Sequence, residues 1–347
     1  MGVSNLAAAR HNKKDEFYTR YDTIEKEIIR TGDILRGKTV LCDCDDPFSS
    51  EFVRYFINNF HHLGLQGLES TCVDTGNGPL HMSITNMPDG ASPIPEFGDG
   101  RREAIIRISK LQGNGLERMN GDGSFKSEEC LRILDRSSVV ITNPPFSLAR
   151  EFITTIVGHG RGYIILGNMN TINTSAVMPL LLDGRLMLGA SIHKGDVAFT
   201  VPDDYPAYGG GCGIDDHGRR TIRVTSIRWM TGYSYGIGSY PYEFASTYRG
   251  HESMYMRYDN YQAINVKATK LIPIDYKGIM GVPMTFLDRY DPEKFEIIGA
   301  ATSTASRQGL NRLIPIIGDK PANLALMDGR RQYAKLFIIN RHPAPAI

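Results

Sequence analysis

Hydrophobic and polar positions follow two periods along the N-terminal part of the chain. Asp22 reads as the N-cap of a first helix that carries Ile24, Ile28 and Ile29 on one side. Lys38 to Cys42 is a short apolar run of the kind a buried strand needs. Asp43 to Ser50 is a polar turn, with Ser49 or Ser50 as the cap of a helix placing Phe52, Val53, Phe56, Ile57 and Phe60 at helical spacing. Leu68 to Val73 reads as the next strand, which makes a βαβ unit. Residues 76–103 break the pattern: Gly76, Gly78, Pro79, Pro88, Gly90, Pro93 and Pro95 predict a long insertion without regular structure. Ala104 to Ile108 is then expected as a strand, Gly121-Asp122-Gly123 as a tight turn, and Ser127 as the cap of a short helix. A strand over Ser138 to Thr142, a helix over Leu148 to Val157 and a strand over Tyr163 to Leu166 follow.

Val197 to Val201 is strand-like, Tyr205 to Gly218 is a loop with Gly209, Gly210, Gly211 and Gly213, and Arg223 to Met230 reads as one strand. Beyond about Gly232 helical periodicity fades and Tyr, Gly and Pro become frequent. The expected architecture is α/β, with a Rossmann-like sheet over residues 1–231 and an irregular β-rich region over 232–347. No internal repeat is present.

Candidate chemistry concentrates where the strand Val139-Val140-Ile141-Thr142 runs into Asn143-Pro144-Pro145-Phe146. The prolines cannot continue a ladder, and Pro144 biases Asn143 towards an extended backbone. An amide and an aromatic ring are thereby held at the carboxyl end of a strand, where open α/β sheets bind ligands. The Asn143 side-chain oxygen and the Pro144 carbonyl can accept both hydrogens of an exocyclic base amine, raising electron density on its nitrogen during methyl transfer. Phe146 can stack on the base, which a duplex would have to flip out, and the methyl donor suited to this chemistry is S-adenosylmethionine. The plainer alternative is that Asn-Pro only marks a turn.

The 347 residues, 41% hydrophobic, suffice for one large and one smaller domain. With no apolar run of about 18 residues and no signal-peptide core in Met1 to Lys14, a cytoplasmic protein is expected. Cys42, Cys44, Cys72, Cys130 and Cys212 make neither a disulfide framework nor a zinc site, so reduced thiols and no metal requirement are expected. A net charge of +1 leaves nucleic-acid binding to local clusters: Arg219, Arg220, Arg223 and Arg228; Arg10, Lys13, Lys14 and Arg20; Arg330, Arg331, Lys335 and Arg341. Any one cluster reads equally as solvated surface. The Arg219 to Arg228 cluster is expected to approach a DNA backbone.

The turn Cys42-Asp43-Cys44-Asp45-Asp46-Pro47-Phe48-Ser49-Ser50 lacks glycine, which excludes a Gly-x-Gly-x-x-Gly dinucleotide enzyme. Asp45 or Asp46 could accept from a donor ammonium, Asp122 from an adenine amine, and Phe125 could pack on that ring; each acid could equally be a turn or cap residue.

These residues resemble the EcoRI-type adenine-specific DNA methyltransferases. Asp15-Glu16-Phe17-Tyr18-Thr19 is similar to that family's opening motif against the donor, Cys44-Asp45-Asp46-Pro47 to its glycine-free turn, and Gly121-Asp122-Gly123 with Phe125 to its third donor motif. Thr142 to Ser147 resembles the catalytic motif, and Phe199-Thr200-Val201-Pro202 with Tyr205 the segment that presents an aromatic ring to the flipped base. Residues 258–266, including Asn260, and 280–287 resemble C-terminal stretches. The resemblance implies an S-adenosylmethionine-dependent catalytic domain followed by a target-recognition region and methylation of adenine in a short duplex site; a monomer associated with the nucleoid is expected, acting either as an orphan methylase or beside a restriction endonuclease of the same site. It implies catalysis by Asn143, Pro144, Pro145, Phe146 and Phe199 and donor contacts from Phe17, Tyr18, Thr19, Asp45, Asp46, Pro47, Asp122, Gly123 and Phe125; DNA contacts are expected from Asn260, within a matched stretch, and from Arg219, Arg220 and Arg223 on their clustered charge. An RNA base or a protein glutamine as substrate, and a DNA-binding protein without catalysis, are the competing readings.

Overall fold

The computed structural model describes residues 17–193, 196–203, 205, 211–238, 244–301, 317 and 324–345. Arg10, Lys13, Lys14, Asp15, Glu16, Gly209 and Gly210 lie outside them. The chain divides into two compact units, one of residues 1–171 and 189–235, the other of 172–188 and 236–347.

In the first unit the chain runs β1 (Tyr18–Thr19), α1 (Tyr21–Ile28), β2 (Thr39–Asp43), α2 (Glu51–Asn58), β3 (Gly67–Cys72), β4 (Leu80–Ile84), α3 (Asp99–Ser109), β5 (Gly115–Arg118), α4 (Glu128–Arg136), β6 (Val139–Thr142), α5 (Ala149–Gly158) and β7 (Gly162–Asn168). After β8 (Met187–Leu188), which belongs to the second unit, come β9 (Asp196–Thr200), β10 (Cys212–Ile214), β11 (Arg220–Thr225) and β12 (Ile227–Thr231). The main sheet has the order β5-β4-β3-β2-β6-β7-β12. Its centre, β3-β2-β6-β7, is parallel, and β4, β5 and β12 join antiparallel. Every residue of β3 and β6 is buried, as parallel strands covered on both faces must be. A smaller antiparallel sheet, β1-β9-β11-β10, carries the N-terminal segment.

Several local expectations are corrected. Ala104 to Ile108 is helical, not a strand: Ala104, Ile105 and Ile108 are buried on one side of α3. The insertion is not devoid of regular structure, since β4 and the start of α3 lie inside it and Met87 and Ile94 anchor it in the core. Arg20, not Asp22, holds the N-cap position of α1; Asp22 sits in its first turn paired with Lys26 at 2.9 Å, and Ile29 is exposed. The stretch from Arg223 to Met230 is two strands in two sheets, broken at Ser226 by a left-handed backbone of φ 61°. Within the loop from Tyr205 to Gly218, Cys212–Ile214 forms β10.

The second unit also contains α6 (Met178–Leu182), β13 (Ala263–Asn265), β14 (Ile279–Pro283), β15 (Phe295–Ala301), β16 (Leu326–Met327), β17 (Arg330–Arg331) and β18 (Lys335–Asn340). Its sheet has the order β13-β14-β18-β15, and Tyr258, Tyr261, Ile298 and Phe337 centre its core.

Candidate active site

The order of the main sheet reverses between β2 and β6, because β3 lies on one side of β2 and β6 on the other. That crevice is where a doubly wound sheet opens. Here β2 and β6 pair only at Val40↔Val139 and Leu41↔Val140, so their carboxyl ends part, bridged by the Thr142 hydroxyl donating to the Asp43 carbonyl at 2.6 Å.

A cavity of about 490 Å³ occupies this position. Its lining includes Phe17, Tyr18, Thr19, Asp45, Asp46, Phe125, Asn143, Pro144 and Pro145, residues singled out from four separate stretches of sequence. Cys44, Phe48, Ser50, Val73, Thr75, Asn77 and Leu148 complete much of the wall. The sequence names Cys44, Phe48 and Ser50 only as members of the turn after β2 and gives none of the seven a site role, because they follow strand ends or open helices without a chemical pattern of their own.

The turn after β2 manages without glycine because Cys44 adopts the left-handed conformation, φ 67°. Ser50 is the cap of α2, accepting from the amides of Phe52 and Val53. Its hydroxyl donates to Asp45 Oδ1 at 2.6 Å, while Asp45 Oδ2 lies 2.6 Å from Thr142 Oγ1, whose one proton is directed at the Asp43 carbonyl, so a protonated Asp45 carboxyl can donate to that hydroxyl. Asp46 accepts from the Phe48 amide at 2.8 Å and from the Thr75 hydroxyl. Neither Asp45 nor Asp46 makes an ion pair with another described residue. Loss of solvation pushes Asp45 up to about 7 and its neighbour Asp43 up to about 6. The same burial holds the Cys44 thiol well above its usual range and Cys72 up to about 12, so both are protonated and unreactive.

Asn143 is fixed by one short bond: its Nδ2 donates to the Phe17 carbonyl at 2.6 Å. A carbonyl can only accept, so this contact sets the amide orientation and leaves Oδ1 as the other end. Asn143 Oδ1 and Thr19 Oγ1 are buried and have no hydrogen-bond partner among the described residues. An orphaned buried acceptor costs about 1–3 kcal/mol, which a ligand donor would recover.

Other expected residues lie elsewhere. Phe146 and Phe199 do not line the cavity; they pack with Phe17 and Tyr205 in a buried aromatic cluster. Two rings that sandwich a base stand parallel about 7 Å apart, whereas Phe146 and Phe199 are 6.0 Å apart at 80°. Pro47 is buried behind the turn, and Asp122 is exposed, accepting from the Ser124 amide at 2.8 Å as a turn residue does. Gly123, φ 72°, lies so close to β3 that an added Cβ would stand 2.2 Å from the Cys72 carbonyl oxygen, so it shapes the cavity wall without contributing to it.

The arginine cluster separates. Arg220 and Arg223 are exposed, but Arg219 pairs with Asp215 at 2.8 Å and lies over the Phe97 ring. Arg228 is buried and donates to the His193 carbonyl at 2.6 Å. Asn260 is fully buried, so it does not reach DNA itself: its Nδ2 donates to the Leu324 carbonyl at 3.1 Å and its Oδ1 accepts from the Leu326 amide at 2.8 Å.

The family described as "Adenine-specific methyltransferase EcoRI" matches residues 5–341. The chain is 37% identical to the Type II methyltransferase M.EcoRI of Escherichia coli, over 84% of this chain and 88% of that protein. It is 29% identical to the Type II methyltransferase M.MpnI of Mycoplasma pneumoniae, over 96% and 97% of the two chains. The Type II methyltransferase M.MgeORF184P of Mycoplasma genitalium is 28% identical, over 95% and 96%. No solved structure matches the chain.

Proposed function

Because this chain belongs to the EcoRI family of adenine-specific methyltransferases, we propose that its cavity brings S-adenosylmethionine to the exocyclic amine of an adenine flipped from duplex DNA. The observation that carries this reading is Asn143 Oδ1, a buried acceptor held in place and without a donor among the described residues.

The residues present suit the methyl donor. The cavity volume falls within the range of small-molecule sites. Phe48, Val73 and Phe125 offer apolar walls, and the Asp45 and Asp46 carboxyls have no counter-ion among the described residues, so the ammonium and sulfonium charge of the donor would favour ionised Asp45 on binding. When bound, the donor supplies an electrophilic methyl group. Asn143 Oδ1 and the Pro144 carbonyl accept the two amine hydrogens, which keeps the nitrogen lone pair directed at that methyl group. Transfer of that methyl group would leave the donor as a neutral thioether, and the methylated amine would pass its surplus proton to solvent. Phe17 fixes the Asn143 amide through its carbonyl. Phe146 and Phe199 present a ring to the base once their cluster parts to admit it.

On this reading residues 1–231 form a Rossmann-like catalytic domain and 232–347 the target-recognition region, with Arg220 and Arg223 meeting DNA phosphates. The protein acts as a monomer, without a metal, as the modification partner of a restriction endonuclease or alone. No helix among the described residues is long and apolar enough to cross a membrane.

The test is methylation-sensitive sequencing of DNA from cells expressing the protein, beside cells expressing Asn143→Ala. Modified adenine at one short motif, absent with the variant, is the expected result. No new modified adenine with the wild-type chain would overturn the reading and redirect the search to RNA and protein substrates.

A further inference from the structure

In the second unit β16 and β17 form a tight ribbon, with Leu326 opposite Arg331 and Met327 opposite Arg330. Asp328 and Gly329 make its turn with φ of 50° and 71°, the pair of left-handed residues that a two-residue hairpin demands. The ribbon is anchored at both ends. The Gly329 amide donates to Asp259 Oδ2 at 2.7 Å at the tip, and Asn260 bonds Leu324 and Leu326 at the base. The Gln332 amide donates to the Ala325 carbonyl at 2.8 Å. A ribbon held this way is rigid enough to present side chains in a fixed register.

What it presents is charged and aromatic. Arg330 and Arg331 are exposed, and neither side chain has a partner among the described residues. Tyr333 is 92% exposed. Met327 packs against the unit's core, so Arg331, which shares the opposite face with Leu326, points away from it. Asp328 at the tip would be repelled by a phosphate, yet it can accept from the exocyclic amine of a base. Two free guanidiniums, an exposed tyrosine and a tip carboxylate on a narrow two-stranded ribbon match the major groove, which admits such a ribbon and offers acceptors to arginine and an amine to a carboxylate.

We propose that the β16–β17 hairpin enters the major groove of the methylated duplex, with Arg331 reading a base edge and Arg330 holding a phosphate. The proposal rests on duplex DNA being the substrate and goes beyond it by naming the element that selects the sequence. Asn260 contributes by building the ribbon's base.

The experiment sequences modified adenines in cells expressing the wild-type chain, Arg331→Ala or Arg330→Ala. It also measures binding of each protein to a duplex carrying the wild-type motif and to its scrambled counterpart. Arg331→Ala is expected to modify a degenerate motif, with one position relaxed, and to narrow the preference for motif over scrambled duplex by about ten-fold or more. Arg330→Ala is expected to weaken binding to both duplexes alike and to lower the salt dependence by about one phosphate. An unchanged motif and unchanged preference in Arg331→Ala would overturn the proposal, as would an equal loss on both duplexes. If the wild-type chain modifies no adenine in DNA, the proposed function itself fails, a result distinct from an unchanged variant beside an active wild type.

Discussion

Replacing Asn143 by Ala removes two things with separate consequences. The first is the Oδ1 acceptor. One preorganised polar contact to a developing charge, in a site shielded from water, is worth about 2.7–4 kcal/mol, so methyl transfer should slow about 10²- to 10³-fold. The second is the 2.6 Å bond from Nδ2 to the Phe17 carbonyl. Leaving that carbonyl without its partner should cost about 1–3 kcal/mol of stability. The rate is read by single-turnover incorporation of labelled methyl into duplex DNA, with donor affinity by calorimetry and a urea melt as controls. Donor affinity should change little, since the amide faces the amine. Asn143→Asp sharpens the test. Ionised, its second oxygen would face the Phe17 carbonyl oxygen; protonated, it would donate there and keep its acceptor in the cavity. Activity of Asn143→Asp should therefore rise as pH falls while the wild type does not follow. An Asn143→Ala rate within about three-fold of wild type at saturating donor would refute the assignment.

Asp45 and Asp43 ionise near 3.8 in the unfolded chain but only at about 7 and about 6 in the fold. Their contribution to stability is thus intact below the unfolded value and lost as pH rises through the folded ones, so Asp45→Asn should raise the melting temperature at pH 8 and leave it nearly unchanged at pH 3.5. Because Cys44 sits at φ 67°, Cys44→Gly should lie within about 1 kcal/mol of wild type in urea unfolding, whereas Cys44→Val should cost more than that. Asn260→Ala should destabilise by about 2–4 kcal/mol, since it strands the Leu324 carbonyl and the Leu326 amide, and proteolysis should then cut the β16–β17 hairpin first.

What could be read from the sequence was what local chemistry dictates. The buried run before Asn143 does form a strand, and the prolines after it lie at a cavity. Ser50 and Ser127 cap the helices that follow them. The errors fall where tertiary context outweighs local pattern. Ala104 to Ile108 is β-branched enough for a strand, yet an eleven-residue helix buries the same positions. Ser226 carries no local sign of the turn that divides Arg223 to Met230; its left-handed conformation falls where the chain passes from one sheet to the other. Asp328-Gly329 is the opposite case, a strong hairpin signal written in two adjacent residues.

Charge misled for a related reason. Proximity in sequence grouped Arg219, Arg220, Arg223 and Arg228, but β-strand alternation and the break at Ser226 send them to different environments. Arg223 alternates with the buried Ile222 and Val224 and stays exposed, while Arg228 sits in the fully buried β12. Arg219 is held by Asp215 and by the edge of the insertion, through Phe97 and Glu96. A guanidinium already paired and stacked offers a phosphate less than a free one, because the old contacts must be given up first. The arginines best placed to recognise a polyanion are therefore the unpaired ones, and pairing, which only the folded chain reveals, separates Arg330 and Arg331 from Arg219 and Arg228.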